Sequence, residues 1–453
     1  MKHPFRASRK DRARRSDPTT SAAFLSCLLR KILSYAAVLV YALFFAWVLF
    51  FAVAESFPKI LNVLPLGGIR YFAIKERYVS DPDLVFVYRK ENRVVRQIAV
   101  GDLFNSNYGI PAEPRNYTAT YEHGFRKNSS QSPFDIAVVG DSYVEIGEDD
   151  ESTFPELLKR ETGLSVMNLG RAWYGPYQYL ELLRREIPRA TFRYVLFCFF
   201  AGNDLDDMRQ YERWKNRRGD YYFYKNIDER NILARFAIAT KDTLLLLREE
   251  LKPTAPEFDR LGLINLGGRK VAMAFRYWER AVSDEQIASL RGVLSGLKSV
   301  SAKGGIVPVV VYIPTAIQVY GDLHSADSNR GFLKKLATAP DNPSLRAVAR
   351  TAGDLDLQFV NLLPVFKMRA AQGRLLYYPF DTHWNVEGRK TAASVIGRYL
   401  LDRRRDSKGT DGDGTTELKT TLSRAPSPQR FPARDPDGEA VRRAGDAGSE
   451  HPI

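Results

Sequence analysis

The chain has only two cysteines and five histidines in 453 residues, and both scarcities narrow what it can be. Cys27 lies in an N-terminal basic stretch and Cys198 in an apolar run far downstream, so the two are not expected to pair. No disulfide framework, cysteine-rich metal site or paired-cysteine redox motif can be written from them. No internal repeat is found, and no cofactor or metal is expected. Acidic residues are also in short supply, 53 against 67 Lys and Arg, for a formal charge of +14. Such an excess suggests nucleic acid or an anionic surface, but its distribution argues against nucleic acid.

Nine of the cations (Lys2, Arg6, Arg9, Lys10, Arg12, Arg14, Arg15, Arg30 and Lys31) fall in the first 31 residues, against Asp11 and Asp17. They precede Leu33–Ala54, "LSYAAVLVYALFFAWVLFFAVA", 22 residues without a charge. About 20 apolar residues rising roughly 1.5 Å each span a bilayer. A basic flank places the N-terminus in the cytoplasm. A buried core helix is seldom apolar all round over this length. A cleaved signal peptide is the stronger alternative, since Ala52-Val53-Ala54 resembles a cleavage site. The long n-region and long apolar run favour an uncleaved anchor. Everything beyond Glu55 is then expected outside the cytoplasm, in the periplasm if the source is bacterial.

From Phe134 apolar runs alternate with helical stretches. Strands are expected at Phe134–Val139, Leu164–Met167, Tyr194–Phe200, Ile306–Ile313 and Leu357–Leu362, and helices at Phe154–Thr162, Tyr177–Ile187, Asp284–Ala302 and Val386–Leu401. "YVLFCFF" at Tyr194–Phe200 is apolar without alternation, as strands buried on both faces are. Strand–helix alternation of this kind predicts an α/β fold with a parallel sheet covered on both faces. Residues 55–133 show shorter strand-like pieces, Asp83–Tyr88 and Arg93–Val100, and end in a polar loop, Tyr121–Pro133. An interruption from Leu205 to Ser283 carries an amphipathic piece near Asn231–Lys252 and a Tyr-, Arg- and Lys-rich stretch, Tyr211–Tyr224, read as a cap surface. Insertions at strand ends commonly shape ligand sites.

Ligands of an open parallel sheet bind beyond the carboxyl ends of its strands. The first strand ends in Gly140-Asp141-Ser142, the second in Asn168-Leu169-Gly170 and the third in Gly202-Asn203-Asp204. One rim thus offers a hydroxyl, a glycine amide and a carboxamide. A serine needs a neighbouring base to become a nucleophile. With His3 cytoplasmic and His451 in the tail, His123, His324 and His383 remain. His383 follows Asp381 in "YPFDTHWNVEG", directly before the last helix, and an acid beside an imidazole stabilises the imidazolium. The amides of Ser142 and Gly170 and the side chain of Asn203 are candidate oxyanion donors. Each residue also has a plainer role: Ser142 as a helix cap, Gly170 as a turn glycine with positive φ, Asn203 as a turn residue and Asp381 as a helix-start acid.

These blocks resemble the SGNH, or GDSL-type, hydrolase superfamily, whose markers are Ser, Gly, Asn and His in that chain order. "GDS" supplies Ser142, "NLG" Gly170, "GND" Asn203 and "DTHWN" His383. Two spacings depart from the family: Gly202 adjoins Asn203 directly, and one residue separates Asp381 from His383 where two are usual. The shorter spacing is similar to that of alginate O-acetyltransferase relatives, whose serine follows the acid–base pair in the chain. The resemblance implies a flavodoxin-like three-layer α/β/α sandwich over Phe134–Leu401, with the insertion outside it. It also implies a catalytic Ser142, His383 and Asp381 with an oxyanion hole of Ser142, Gly170 and Asn203.

The expected organisation is a basic cytoplasmic segment (1–31), a transmembrane anchor (32–54), an outer segment (55–133), an SGNH hydrolase-like domain (134–402) with a cap insertion (205–283), and a disordered tail (403–453). Three functions compete. The first is an extracytoplasmic esterase or deacylase acting on an acylated glycan or lipid-linked substrate. The second is an O-acyltransferase served by a membrane acyl-donor partner. The third is a scaffold that keeps the fold without catalysis, against which the complete set of markers argues.

Overall fold

In the computed structural model of the chain, residues 18–56, 78–88, 92–98, 115–122, 124–130, 132–216, 231–251 and 261–409 are described. The apolar run forms one helix, α1 (Pro18–Ser56), of which Ser26–Ser56 is long and apolar enough to cross a membrane. That helix contains the 32–54 span and fits a single-pass anchor or a signal sequence. Two antiparallel units follow. β1 (Tyr78–Asp81) pairs with β2 (Val85–Tyr88), and β3 (Asn92–Ile98), β4 (Arg115–Glu122) and β5 (Phe125–Arg126) form a three-stranded sheet. The expected loop Tyr121–Pro133 is therefore partly strand. Gly124, at φ 81, makes the turn that lets β5 fold back on β4.

The main sheet follows in strand–helix order: β6 (Ile136–Gly140), α2 (Ser142–Glu145), α3 (Phe154–Thr162), β7 (Val166–Gly170), α4 (Pro176–Glu186) and β8 (Tyr194–Phe200). The interruption contains α5 (Asp204–Lys215), α6 (Ile232–Leu251) and a hairpin of β9 (Leu261–Leu266) and β10 (Arg269–Ala274). Gly267 and Gly268, both at positive φ, close that hairpin, the two-residue turn that matches strand twist. The Gly-Gly pair was its legible signal. The part of Tyr211–Tyr224 beyond residue 216 lies outside the described residues.

The chain then runs through α7 (Asp284–Lys303), β11 (Val307–Ile313), α8 (Ala316–Tyr320), α9 (Arg330–Thr338), α10 (Pro343–Asp354), β12 (Gln358–Asn361), α11 (Leu363–Ala371) and α12 (Val386–Gly409). Ser283 and Gln286 start α7 with a reciprocal capping box. Of the expected disordered tail (403–453), residues 403–409 are the end of α12, and the remainder lies outside the described residues.

The five strands are all parallel in the order β12-β11-β8-β6-β7. Read from β7, this is the flavodoxin-like order 2-1-3-4-5, with its switch point between β6 and β8. Successive strand residues face opposite sides, which yields two cores. Ile136, Val138, Leu196 and Cys198 pack with α3 and α12 residues such as Leu158, Ile396 and Leu400. Ala137, Val139, Val195 and Phe197 pack with α4 and α7 through Leu183, Val293 and Leu297. Tyr78, Phe86, Tyr88, Tyr117 and Tyr121 join this second core, so the outer segment is packed into the sandwich itself. α6 lies along the end of α1: Trp47 Nε1 donates to Thr240 Oγ1 at 2.9 Å, Arg235 pairs with Glu55 at 2.8 Å, and Phe236 meets Phe51 edge-on.

Candidate active site

β6 and β8 diverge at the switch point, and the cavity above it is lined by Ser142, Asn203 and His383. Asp141, not Ser142, caps α2: its carboxylate accepts the Tyr143 amide at 2.9 Å. Ser142 is left as the first helical residue with its hydroxyl in the cavity. Gly140 is glycine for space, since a Cβ there would lie 2.4 Å from Val144.

The structure brings Ser142, His383 and Asp381 into one hydrogen-bonded chain. Ser142 Oγ lies 2.9 Å from His383 Nε2, and His383 Nδ1 lies 2.6 Å from Asp381 Oδ1. The same oxygen accepts the His383 backbone amide at 3.1 Å. The two-residue spacing therefore forms an Asx-turn, in which one carboxylate oxygen orients both backbone and ring. The other oxygen accepts Arg115 Nη2 from β4 at 2.5 Å, and that guanidinium lies 3.5 Å over the Tyr378 ring. Burial alone would raise the Asp381 carboxyl, but His383 and then Arg115 outweigh it and hold it well below the usual carboxylate range. Asp381 is thus an anion at neutral pH. Trp384, fully buried, donates from its indole nitrogen to Tyr143 O at 3.1 Å, tying the histidine loop to the serine helix.

The three proposed oxyanion donors fare differently. The Ser142 amide makes no hydrogen bond among the described residues. Asn203 lines the cavity, and its Nδ2 donates to Asp207 Oδ2 at 2.5 Å, which leaves the second amide hydrogen available. Gly170 is a correction. Its amide donates to Asn168 Oδ1 at 2.9 Å, and it is not among the cavity-lining residues. Nor does it sit at positive φ. A Cβ on Gly170 would lie 2.7 Å from the Glu145 nitrogen, so the glycine is needed for close packing of β7 against α2.

Several neighbours were not legible in the sequence. Glu145, buried three residues after Ser142, accepts the hydroxyls of Tyr88 and Tyr121 and the Ala172 amide. Burial pushes Asp141 up to about 6, against the opposing pull of the Tyr143 amide and His383. His324 sits elsewhere, its Nδ1 2.8 Å from Gly321 O, and His123 lies outside the described residues. No group of three or more His, Cys, Asp or Glu able to hold a metal occurs among the described residues.

Residues 275–443 match the family model described as "SGNH hydrolase-like domain, acetyltransferase AlgX". The match covers less than half of the chain, and what it shows is a likeness to that family. The matched stretch includes Asp381 and His383 and begins after Ser142 and Asn203. Ester hydrolase or acyltransferase is the enzyme class that the match supports. A comparison with curated proteins finds no match. Similar solved structures include a protein from Slackia heliotrinireducens assigned as an SGNH hydrolase, 13% identical over 59% of this chain and 100% of that one, with a TM-score of 0.31. Another is the lipase/acylhydrolase from Enterococcus faecalis, 11% identical over 59% and 96%, TM-score 0.30. A third is a catalytic mutant of an acetylxylan esterase from Geobacillus stearothermophilus, 13% identical over 59% and 94%, TM-score 0.29. At such distances these likenesses carry no functional argument for this chain.

Proposed function

We propose that the chain is a membrane-anchored, extracytoplasmic serine esterase or deacylase acting on an acylated glycan or lipid-linked ester. The observation that carries this reading is the unbroken hydrogen-bond chain Ser142–His383–Asp381 on the cavity wall. With Nδ1–H held by Asp381, His383 presents its Nε2 lone pair to the serine proton. Ser142 Oγ attacks the ester carbonyl as His383 takes that proton, and His383 then returns it to the leaving alkoxide. Water repeats the sequence on the acyl-serine, again through His383. The Ser142 amide and Asn203 Nδ2 serve as donors to the tetrahedral oxyanion. Asp381 stays ionised and stabilises the transient imidazolium.

A second reading replaces water by a sugar hydroxyl, giving an O-acyltransferase with a membrane partner as acyl donor. The acetyltransferase description of the matching family favours it. One experiment addresses both. Full-length protein in detergent is incubated with an aryl acetate and an acetylated glycan, with and without an unacetylated acceptor. Acetate release is expected from both substrates, and acetylation of the acceptor would select transfer. Release that survives Ser142→Ala would sink the nucleophile assignment.

A further inference from the structure

Trp173, on the loop between β7 and α4, combines two costly features. It is 47% exposed, and its φ is 73°. A bulky residue in the left-handed region is a genuine outlier that persists only where its surroundings enforce it. Glycine would adopt the same backbone without steric cost. The enforcement is visible on both sides. The Arg171 amide donates to Gly140 O at 2.9 Å, and its buried guanidinium packs against the rings of Tyr88, Phe125 and Tyr174. The Tyr174 amide donates back to Arg171 O at 3.2 Å, and its hydroxyl to Phe86 O at 2.5 Å. A rigid, buried frame therefore holds a strained, half-exposed indole at the wall of the cavity that contains Ser142 and His383.

The rest of the wall indicates what the indole meets. Among the described lining residues nine carry Tyr, Trp or Phe rings, whereas three are Leu, Ile or Val. Arg209, Arg276, Arg280 and Gln286 add hydrogen-bond donors. A long acyl chain needs an aliphatic sleeve, and among the described lining residues only those three would contribute to one. A sugar ring has an apolar C–H face that stacks on aromatic rings and an equatorial rim of hydroxyls that needs polar partners. The cavity, about 1130 Å³, is larger than most small-molecule sites and suits several linked sugar units. Resting on the esterase or acyltransferase reading above, we infer that Trp173 is a stacking platform for a pyranose of a glycan chain, positioning its O-acyl group at Ser142.

The test compares the full-length protein with Trp173→Gly, which removes the ring and suits the left-handed backbone, and Trp173→Phe, which keeps a ring. On an acetylated polysaccharide, Trp173→Gly should raise KM by roughly ten- to fiftyfold, the range for uncovering about half an indole's apolar surface. kcat should fall less, and the loss should exceed any loss on an aryl acetate by about tenfold. Tm should hold or rise, because glycine relieves the strain. Trp173→Phe should recover most of the glycan affinity. Equal losses on both substrates, or an unchanged glycan KM, would overturn the proposal, as would a matching KM rise on a long-chain lipid ester. Binding of the acetylated polysaccharide to Ser142→Ala, with and without Trp173→Gly, tests the platform without turnover. Equal affinities there refute it, whereas turnover that survives Ser142→Ala refutes the esterase reading instead.

Discussion

Replacing Arg115 by methionine should weaken the protein at neutral pH and relax the histidine without stopping catalysis. Arg115 comes from β4, in the outer segment, and its guanidinium is 2.5 Å from Asp381 Oδ2, with side chains 18% and 7% exposed. A hydrogen bond to a charged group is worth about 1.5–3 kcal/mol, and the stacking on Tyr378 adds about 0.5–1 kcal/mol. Methionine fills the stem's space but leaves one carboxylate oxygen dry and unpaired, so the loss should be about 3 kcal/mol. For a unit of this size that lowers Tm by roughly 6 °C. The pH dependence has a definite sign. The folded Asp381 is held below its ordinary value, so its contribution is full above about pH 4 and is lost as pH falls further through the folded value. The Tm gap between wild type and Arg115→Met should therefore be full at neutral pH and narrow in acid. Because Oδ1 still holds both the ring and the backbone of His383, kcat should fall only about tenfold, far less than for loss of the acid itself. Thermal melts across pH, with kcat on the same preparations, check each part. No drop in Tm at neutral pH, or a gap that stays constant into acid, would refute the reasoning.

Asn203→Ala should cut kcat by about 10²–10³-fold with KM nearly unchanged, since the donor strengthens its bond only as charge develops on the substrate oxygen. A lower Tm with normal kcat would make Asn203 merely the residue that starts α5. Asp141→Asn should raise Tm at about pH 8, and the gain should vanish towards about pH 4. Burial lifts Asp141 to about 6, so the folded state binds its proton more tightly than the unfolded chain and loses stability as pH rises through that value. The amide keeps an oxygen for the Tyr143 nitrogen. An equal Tm difference at both pH values would refute the assignment.

Much of the sandwich was legible because its strands are buried on both faces. Tyr194–Phe200 could be read to the residue, and α3 likewise, because a fully apolar run and an amphipathic stripe have few other ways to satisfy themselves. The helices between β11 and β12 were not read, although α9 and α10 are as amphipathic as α3 and open on Asn329 and on Asn342-Pro343; α8 is a five-residue helix with little periodicity to read. Tyr88 was read at the end of a strand-like piece and Tyr121 at the start of a polar loop, but the burial of the β1–β5 tyrosines was not legible, since each ring is half polar and its burial depends on α4 and β7 lying beneath it.

For the site, the sequence by itself determined the chemistry: a serine after a strand, an acid–imidazole pair before the last helix and a carboxamide at a third strand end. Those are local facts, set by residue types at fixed offsets. Tertiary structure decided what the local facts could not. The Asx-turn that makes a two-residue spacing serviceable is a matter of backbone direction at Asp381. The withdrawal of the Gly170 amide follows from the side chain of Asn168, whose orientation no spacing encodes. Arg115 reaches Asp381 across 266 positions of chain, and Trp173 is aimed by a frame contributed by β2, β5 and β6. Contacts between residues so far apart depend on how separately formed elements pack, and packing is a property of the whole chain that no single stretch of it carries.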